Sequence, residues 1–86
     1  MENHIGFIGA GNMAASLIRG AITVGIVRPH EIVAVNKQNR DRMDALVGEH
    51  GIREARSLRE LVEQCPTLVL AVKPDQVPEV LEDLSR

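Results

Sequence analysis

Aromatic side chains are almost absent from this sequence of 86 residues, since Phe7 is the only one and there is no tryptophan or tyrosine. The core must therefore be built from aliphatic side chains. A single cysteine, Cys65, excludes an intrachain disulfide framework and offers no ligand cluster for a structural zinc. No apolar run approaches the roughly 18 residues that a membrane-spanning helix needs.

The sequence also has no large excess of positive or of negative charge. Ten basic and twelve acidic residues leave a net charge of −2, which argues against nucleic acid or an anionic membrane surface as a partner. The N-terminal residues lack the basic start and long apolar stretch of a signal peptide, so we expect a cytoplasmic protein. The three histidines, His4, His30 and His50, share no spacing, and we predict no metal site.

Short apolar runs alternate with longer amphipathic segments along the whole chain. The pattern predicts strands at 5–8, 32–35, around 52 and at 67–72, each followed by a helix. This β-α-β-α-β-α-β-α order predicts an α/β fold: a parallel sheet with helices on both faces. Because a doubly wound nucleotide-binding domain normally has about six strands, four strands suggest the N-terminal part of such a domain.

Several local details accompany this prediction. We expect the first helix to bury two rows of side chains, and the third helix to start at a capping box in which Ser57 and Glu60 satisfy each other's backbone amides. Asp75 should cap the last helix. The strand at 67–72 should be covered on both faces, because its apolar run is continuous. The two rows of the first helix are Met13, Leu17, Ala21 and Ala14, Ile18, Ile22.

A glycine-rich motif, G-x-G-x-x-A, lies between the first strand and the first helix. Gly9 allows the tight turn out of the strand, Gly11 leaves the backbone open to a pyrophosphate, and Ala14 keeps the helix close to the strand. The pyrophosphate would lie at the helix N-terminus, where free amides and the helix dipole favour an anion. Since the motif has the strand before it and the helix after it, we interpret it as a dinucleotide-binding loop of the Rossmann type.

The residues after the second strand indicate which nicotinamide cofactor binds. NAD-binding domains usually have Asp or Glu here, which would repel the 2′-phosphate of NADP. This sequence has Asn36 and Lys37, with Arg40 and Arg42 close behind. We predict NADP(H) as the preferred cofactor and NAD(H) as possible, with Asn36 and Lys37 as first contacts of the phosphate and Arg40 as a reserve.

Two motifs together give the chain a resemblance to a known family. The segment FIGAGNMAASLI at 7–18 and the segment LAVKP at 70–74 are similar to those of pyrroline-5-carboxylate reductases. The resemblance implies an NAD(P)H-dependent enzyme that reduces 1-pyrroline-5-carboxylate to L-proline. It implies that cofactor contacts come from Ile8, Gly9, Ala10, Gly11, Asn12 and Met13, from Asn36 and Lys37, and from Ala71, Val72, Lys73 and Pro74.

The resemblance also sets limits. Many members have an asparagine near position 58 that approaches the cofactor, and Leu58 stands there with Ser57 beside it. The family's second, all-helical domain makes the dimer and supplies most of the substrate pocket, and residues 1–86 do not include it. No catalytic residue is assigned. Two alternatives stay open: a related NADP-linked dehydrogenase of the hydroxyacid or prephenate type, and a non-catalytic nucleotide-sensing module.

Overall fold

The computed structural model describes residues 4–36 and 40–85. Strands and helices alternate along the chain as predicted. Short 3₁₀ turns at Pro29–Glu31 and Pro74–Gln76 precede the second strand and the last helix. The elements are β1 (Ile5–Ile8), α1 (Asn12–Val24), β2 (Ile32–Val35), α2 (Arg40–His50), β3 (Arg53–Glu54), α3 (Leu58–Gln64), β4 (Thr67–Leu70) and α4 (Val77–Leu84).

The four strands form one parallel sheet in the order β3-β2-β1-β4. In this register Ile8, the last residue of β1, pairs with Val35 of β2 and with Leu70 of β4. The carboxyl ends of these three strands therefore meet at one edge of the sheet. The predicted fold class, a four-stranded parallel sheet of the Rossmann type, is confirmed.

The helices cover both faces of the sheet, as predicted. On one face, Ala14 and Ile18 of α1 and Met43 and Leu46 of α2 share a buried cluster with Phe7 of β1. On the other face, Leu61 of α3 packs in a cluster with Ile8 and Val33 of the sheet, and parts of α4 lie at its margin. Neighbouring residues of β2 contribute to opposite clusters, because successive side chains of a strand point to opposite faces.

Gly6, in the middle of β1, has a packing reason that the sequence pattern did not reveal. A β-carbon on Gly6 would lie 2.8 Å from Cδ2 and 2.9 Å from Cγ of Leu61. Leu61 is fully buried and is among the largest side chains of its cluster. Glycine at position 6 therefore lets α3 approach the central strand closely.

The predicted burial of Met13 and Leu17 of α1 was wrong. Met13 and Leu17 are 61% and 47% exposed, so α1 buries Ala14 and Ile18 but, of the neighbouring row, packs only Ala21 partly against the core. Val62 of α3 is also exposed, at 43%. The buried stripe of α1 is narrower than the sequence predicted, because the helix lies against only one face of a small sheet.

The last strand and helix also differ from expectation. The strand ends at Leu70 rather than at residue 72, and Leu68 and Leu70 are exposed, because β4 is the edge strand of the described sheet. The 3₁₀ turn replaces the predicted cap at Asp75, and Gln76 at the N-cap of α4 makes no side-chain cap bond. The Ser57 cap is confirmed, since the Glu60 amide donates to Ser57 Oγ at 3.1 Å. The Glu60 carboxylate, however, accepts from the Arg56 amide at 3.0 Å rather than from Ser57.

Candidate functional site

Three loops meet where β1, β2 and β4 end, and backbone hydrogen bonds hold them together. The Gly9 amide donates to the Val35 carbonyl at 2.8 Å, and the Ala71 amide donates to the Ile8 carbonyl at 2.9 Å. The glycine loop thus lies between the chain entering α2 and the segment that follows β4. Ligands of open α/β sheets bind at this carboxyl edge.

Gly9 is required by the geometry of this junction. Its φ is +111°, a conformation that residues with a side chain rarely adopt. A β-carbon on Gly9 would also lie 2.6 Å from the carbonyl oxygen of Ala71. The first glycine of the motif therefore allows both the turn and the close approach of the segment after β4.

Gly11 is different, because nothing in the described structure needs it to be glycine. Its backbone is extended (φ −79°, ψ −167°), and a β-carbon there would meet no described atom within 4 Å. The space in front of Gly11 is open, as a loop that admits a ligand to its backbone requires. A bound pyrophosphate would fit in this space, which a side chain at position 11 would otherwise fill.

The start of α1 favours an anion in that space. Gly11 is the N-cap residue and has no side chain to cap the helix, and the first turn contains no acidic residue. The first amides of a helix have no partner within the helix, and the helix dipole places partial positive charge there. The motif, the open space and the helix end thus point to one kind of ligand, a phosphate group.

A pocket of about 410 Å³ adjoins the glycine loop on the α3 and α4 side. Apolar side chains form much of its wall, and Ser57, Arg56 and Gln76 add polar groups. Glu79 and Asp83 of α4 also line it. A neutral, flat ligand group suits this wall better than a phosphate does, because two carboxylates contribute to it. Its apolar lining comprises Ile8, Val35, Leu58, Val72 and Val80.

The structure brings most of the predicted cofactor residues to this edge. Ile8, Gly9, Asn36 and Val72 line the pocket. Ala10 and Ala71 are buried behind the loops, whereas Asn12, Met13, Lys73 and Pro74 are exposed. Lys37 lies outside the described residues. The roles of these residues in binding stay predictions.

The arginines at the start of α2 point to different partners. Arg40 makes two hydrogen bonds to the Glu54 carboxylate and one to Asp44 at 3.0 Å. These carboxylates raise the pKa of Arg40 above its already high ordinary value. Arg42 instead donates from Nη1 to Oδ1 of Asn12 at 2.7 Å, which places it beside the glycine loop. Arg40, named as a reserve for the phosphate, is therefore held at β3.

Several pocket residues were missed by the sequence reasoning. Arg56 and Ser57 follow β3, and their position after a strand was the available signal. Gln76, Glu79, Val80 and Asp83 come from α4 and its preceding turn, and no sequence pattern marked them. Leu58, where the family often has asparagine, lies in the pocket wall and adds an apolar surface there.

The remaining chemistry-bearing side chains lie away from this edge. Burial raises the pKa of the Cys65 thiol, and the nearby Arg53 partly opposes the shift, so the thiol is a poor nucleophile. In residues 4–36 and 40–85, no group of three or more histidine, cysteine, aspartate or glutamate side chains could hold a metal ion. Over the same residues, none of the helices has both the length and the apolar character that a bilayer crossing requires.

Comparison with known proteins gives a consistent result. The family model "NADP oxidoreductase coenzyme F420-dependent" matches residues 4–86. The pyrroline-5-carboxylate reductase of Methanosarcina acetivorans is 41% identical over 98% of this chain, and that of Escherichia coli is 36% identical over 99%. The solved structure of a pyrroline-5-carboxylate reductase from Coxiella burnetii matches with a TM-score of 0.85 at 33% identity, over 98% of the chain.

The chain spans 31% of the length of both named relatives and 30% of the Coxiella chain. The resemblance to pyrroline-5-carboxylate reductases inferred from the two motifs is confirmed over this part of their length. The matching family model, described as an NADP oxidoreductase, supports a nicotinamide cofactor. With the Rossmann-type sheet, the open glycine loop and the match over residues 4–86, the chain belongs to the family of NADP oxidoreductases described as coenzyme F420-dependent.

Proposed function

We propose that this chain is the NADP-binding part of an enzyme that reduces 1-pyrroline-5-carboxylate to L-proline with NAD(P)H. The observation that carries the proposal is the open space at Gly11, at the start of α1, in a chain similar to pyrroline-5-carboxylate reductases over nearly its whole length. Residues 1–86 would form the N-terminal part of the dinucleotide-binding domain. Substrate binding and dimer formation would belong to the part of the relatives that this chain does not span.

The site offers a distinct place for each half of a dinucleotide. The pyrophosphate would lie on the backbone of Gly11 and the first turn of α1, since this is where backbone amides and open space coincide. The adenine would lie in the pocket that Leu58 and Val35 help to line, since their apolar side chains suit its flat faces. Val72, Lys73 and Pro74 would flank the nicotinamide half.

Preference for NADP would come from the residues that follow β2. Asn36 is partly buried at the pocket margin, where the ribose of the adenosine half would lie. A neutral amide does not repel a 2′-phosphate as a carboxylate would. Lys37, the next residue, would add a positive charge. Arg40 would contribute little, since Glu54 and Asp44 already hold it.

Hydride transfer to the carbon of a protonated imine is the chemistry that the nicotinamide supplies when it is bound. The contribution of this chain is positional. The glycine loop holds the phosphates, and the Ala71 hydrogen bond to Ile8 fixes the segment that flanks the nicotinamide relative to that loop. Holding a hydride donor at a fixed distance and angle to its acceptor supplies much of the rate gain of such reactions.

Calorimetric titration of the chain with NADPH and with NADH tests the binding proposal. We expect the chain to bind NADPH more tightly than NADH, and the Gly11→Val variant to bind neither while remaining folded. The matched control is Gly20→Val, since a β-carbon at Gly20 also meets no described atom within 4 Å. Binding by Gly11→Val with unchanged affinity would contradict the proposal.

Turnover tests the second part of the proposal. We expect a protein that contains this chain together with the remaining length of its relatives to oxidise NADPH when 1-pyrroline-5-carboxylate is supplied. Cofactor binding without turnover on this substrate would favour a dehydrogenase of the hydroxyacid or prephenate type. Binding without turnover on any such substrate would favour a nucleotide-sensing module.

A further inference from the structure

We propose that Arg42 is the cationic contact of the cofactor's pyrophosphate, and that Asn12 positions it. The inference rests on the proposed function, because it assigns a residue to the same site. Neither the glycine motif nor the residues after β2 singled out Arg42 for this role. The evidence is a side-chain contact that joins α2 to the first residue of α1.

The contact places a guanidinium at the glycine loop. Arg42 Nη1 donates to Asn12 Oδ1 at 2.7 Å, across 30 residues of sequence. Asn12 directly follows Gly11, where the open space lies, and begins the helix whose amides would hold the phosphates. A guanidinium forms strong, charge-assisted hydrogen bonds to phosphate oxygens. Arg42 would therefore add a full positive charge to a site otherwise built from backbone amides.

The packing of α2 against α1 makes this placement a property of the fold. Met43, the residue after Arg42, is 1% exposed and belongs to the same buried cluster as Ala14 of α1. The start of α2 is thus anchored in the same buried core as the start of α1. The backbone that carries Arg42 is held by the core, although the side chain itself is exposed.

Arg40 and Arg42 contact different partners because they lie two residues apart on one helix. Residues at this spacing point to different sides of an α-helix. Arg40 points to β3, where Glu54 holds it in a paired contact, and Arg42 points to the glycine loop. The structure therefore favours Arg42, not Arg40, as the arginine that serves the cofactor.

NADPH and NADH both contain the pyrophosphate, whereas only NADPH has the 2′-phosphate. A residue that contacts the pyrophosphate can therefore be distinguished from one that contacts the 2′-phosphate. Substitution of Arg42 should lower the affinities for NADPH and for NADH by the same factor. Loss of a contact to the 2′-phosphate would weaken NADPH alone. Arg42 would thus set affinity, whereas Asn36 and Lys37 would set preference between the cofactors.

The experiment compares Arg42→Gln with the wild-type chain by titration with NADPH and NADH at low and high salt. The matched control is Arg19→Gln, an exposed arginine of α1 that faces Glu49 at 3.8 Å. We expect Arg42→Gln to raise both dissociation constants about tenfold, the scale of one lost charge-assisted contact. Its binding should also depend less on salt than that of the wild type, since one charge no longer takes part.

Two further variants test the positioning role of Asn12. Arg42→Lys keeps the charge and should lose less affinity than Arg42→Gln. Asn12→Ala should weaken both cofactors, and Arg42→Gln should cost less affinity in that background than in the wild type. Additive losses in the double variant would overturn the positioning role. Melting temperatures of all variants should stay close to that of the wild type, because these side chains are exposed.

Four other results would overturn the inference, and each would indicate a different explanation. A loss confined to NADPH would assign Arg42 to the 2′-phosphate. Affinities equal to those of Arg19→Gln would make Arg42 an ordinary surface residue. A loss of affinity with unchanged salt dependence and a lowered melting temperature would make its role structural. A wild-type chain that binds neither cofactor would overturn the proposed function itself, and this inference with it.

Discussion

A β-carbon on Gly9 would lie 2.6 Å from the carbonyl oxygen of Ala71, closer than non-bonded atoms allow. The two residues belong to the two motifs that carry the family resemblance, which are far apart in the sequence. The close approach brings the two motifs together at one edge of the sheet. Any side chain at position 9 would occupy the space that the backbone of Ala71 fills, so the glycine loop requires glycine there.

Gly9→Ala should therefore destabilise the fold strongly. The new methyl group meets backbone atoms, which cannot move aside as the end of a side chain could, and φ at this position is +111°. We expect the free energy of unfolding to fall by about 3 kcal/mol. Urea denaturation measures it.

Gly20→Ala is the matched control for Gly9→Ala. Position 20 lies within α1, and a β-carbon there meets no described atom within 4 Å. Because alanine is favoured over glycine in a helix, this variant should gain up to about 1 kcal/mol of stability. Equal stability of the Gly9→Ala and Gly20→Ala variants would contradict the argument from the Ala71 contact.

Gly6 and Leu61 should show energetic coupling. A methyl group on Gly6 would overlap Leu61, so Gly6→Ala should cost about 1–3 kcal/mol. Leu61→Ala alone removes a fully buried side chain and should cost about 2–5 kcal/mol. In the double variant the alanine at position 6 fills part of the space left by Leu61, so the combined loss should be smaller than the sum. Additive losses in a double-mutant cycle would show that the two residues do not share this space.

Asn36→Asp should change the preference between cofactors. The variant places a carboxylate at the end of β2, where it would repel a 2′-phosphate and accept hydrogen bonds from ribose hydroxyls. We expect the ratio of the NADPH to the NADH dissociation constant to rise by about tenfold, the effect of placing two like charges in contact at a partly screened site. Calorimetric titration with both cofactors measures the ratio. An equal change for both would show that Asn36 does not face the phosphate.

The Cys65 thiol should react slowly with alkylating reagents in the folded chain. Its side chain is 4% exposed, and burial raises its pKa, which lowers the fraction of reactive thiolate at neutral pH. The rate should rise sharply in urea, where the chain unfolds. Mass spectrometry of alkylated samples checks this, and fast alkylation without urea would contradict the burial of Cys65.

The raised pKa of Cys65 also has a consequence for stability. Because the folded state holds the thiol proton more tightly than the unfolded state, the thiol's contribution to stability is complete below its ordinary pKa of 9.0 and is lost as the pH rises from there through the raised pKa of the folded state. The Cys65→Ala variant has no thiol, so its free energy of unfolding should fall less as the pH rises above 9.0 than that of the wild type. A wild-type chain and a Cys65→Ala variant with the same pH dependence above pH 9 would contradict it.

Much of the fold was predictable from local patterns. The apolar runs at 5–8 and 32–35 gave β1 and β2 their observed bounds, because both strands are buried and have no polar residue to interrupt them. Gly25 ends α1 in the left-handed conformation (φ +87°) that glycine adopts readily. The less regular end of the chain was harder, since the apolar run continues past Leu70 and does not mark where β4 ends.

Partners that are distant in the sequence were not predictable in the same way. From the sequence, Arg40 and not Arg42 is the predicted reserve contact of a phosphate. Only the tertiary structure directs Arg40 to Glu54 and Arg42 to Asn12. The same holds for the pocket residues of α4, which reach the site because α4 packs beside α3 at the margin of the cluster that contains Ile8 of β1.

The sequence by itself determined the alternation of strands and helices and the glycine loop at the carboxyl edge, because hydrophobic periodicity and glycine geometry act over a few neighbouring residues. The tertiary structure decided which side chains are buried, as at Met13 and Leu68, and which contacts the charged residues make. These depend on the order of the strands and on how closely each helix approaches the sheet. Both arise from packing between segments that are far apart along the chain.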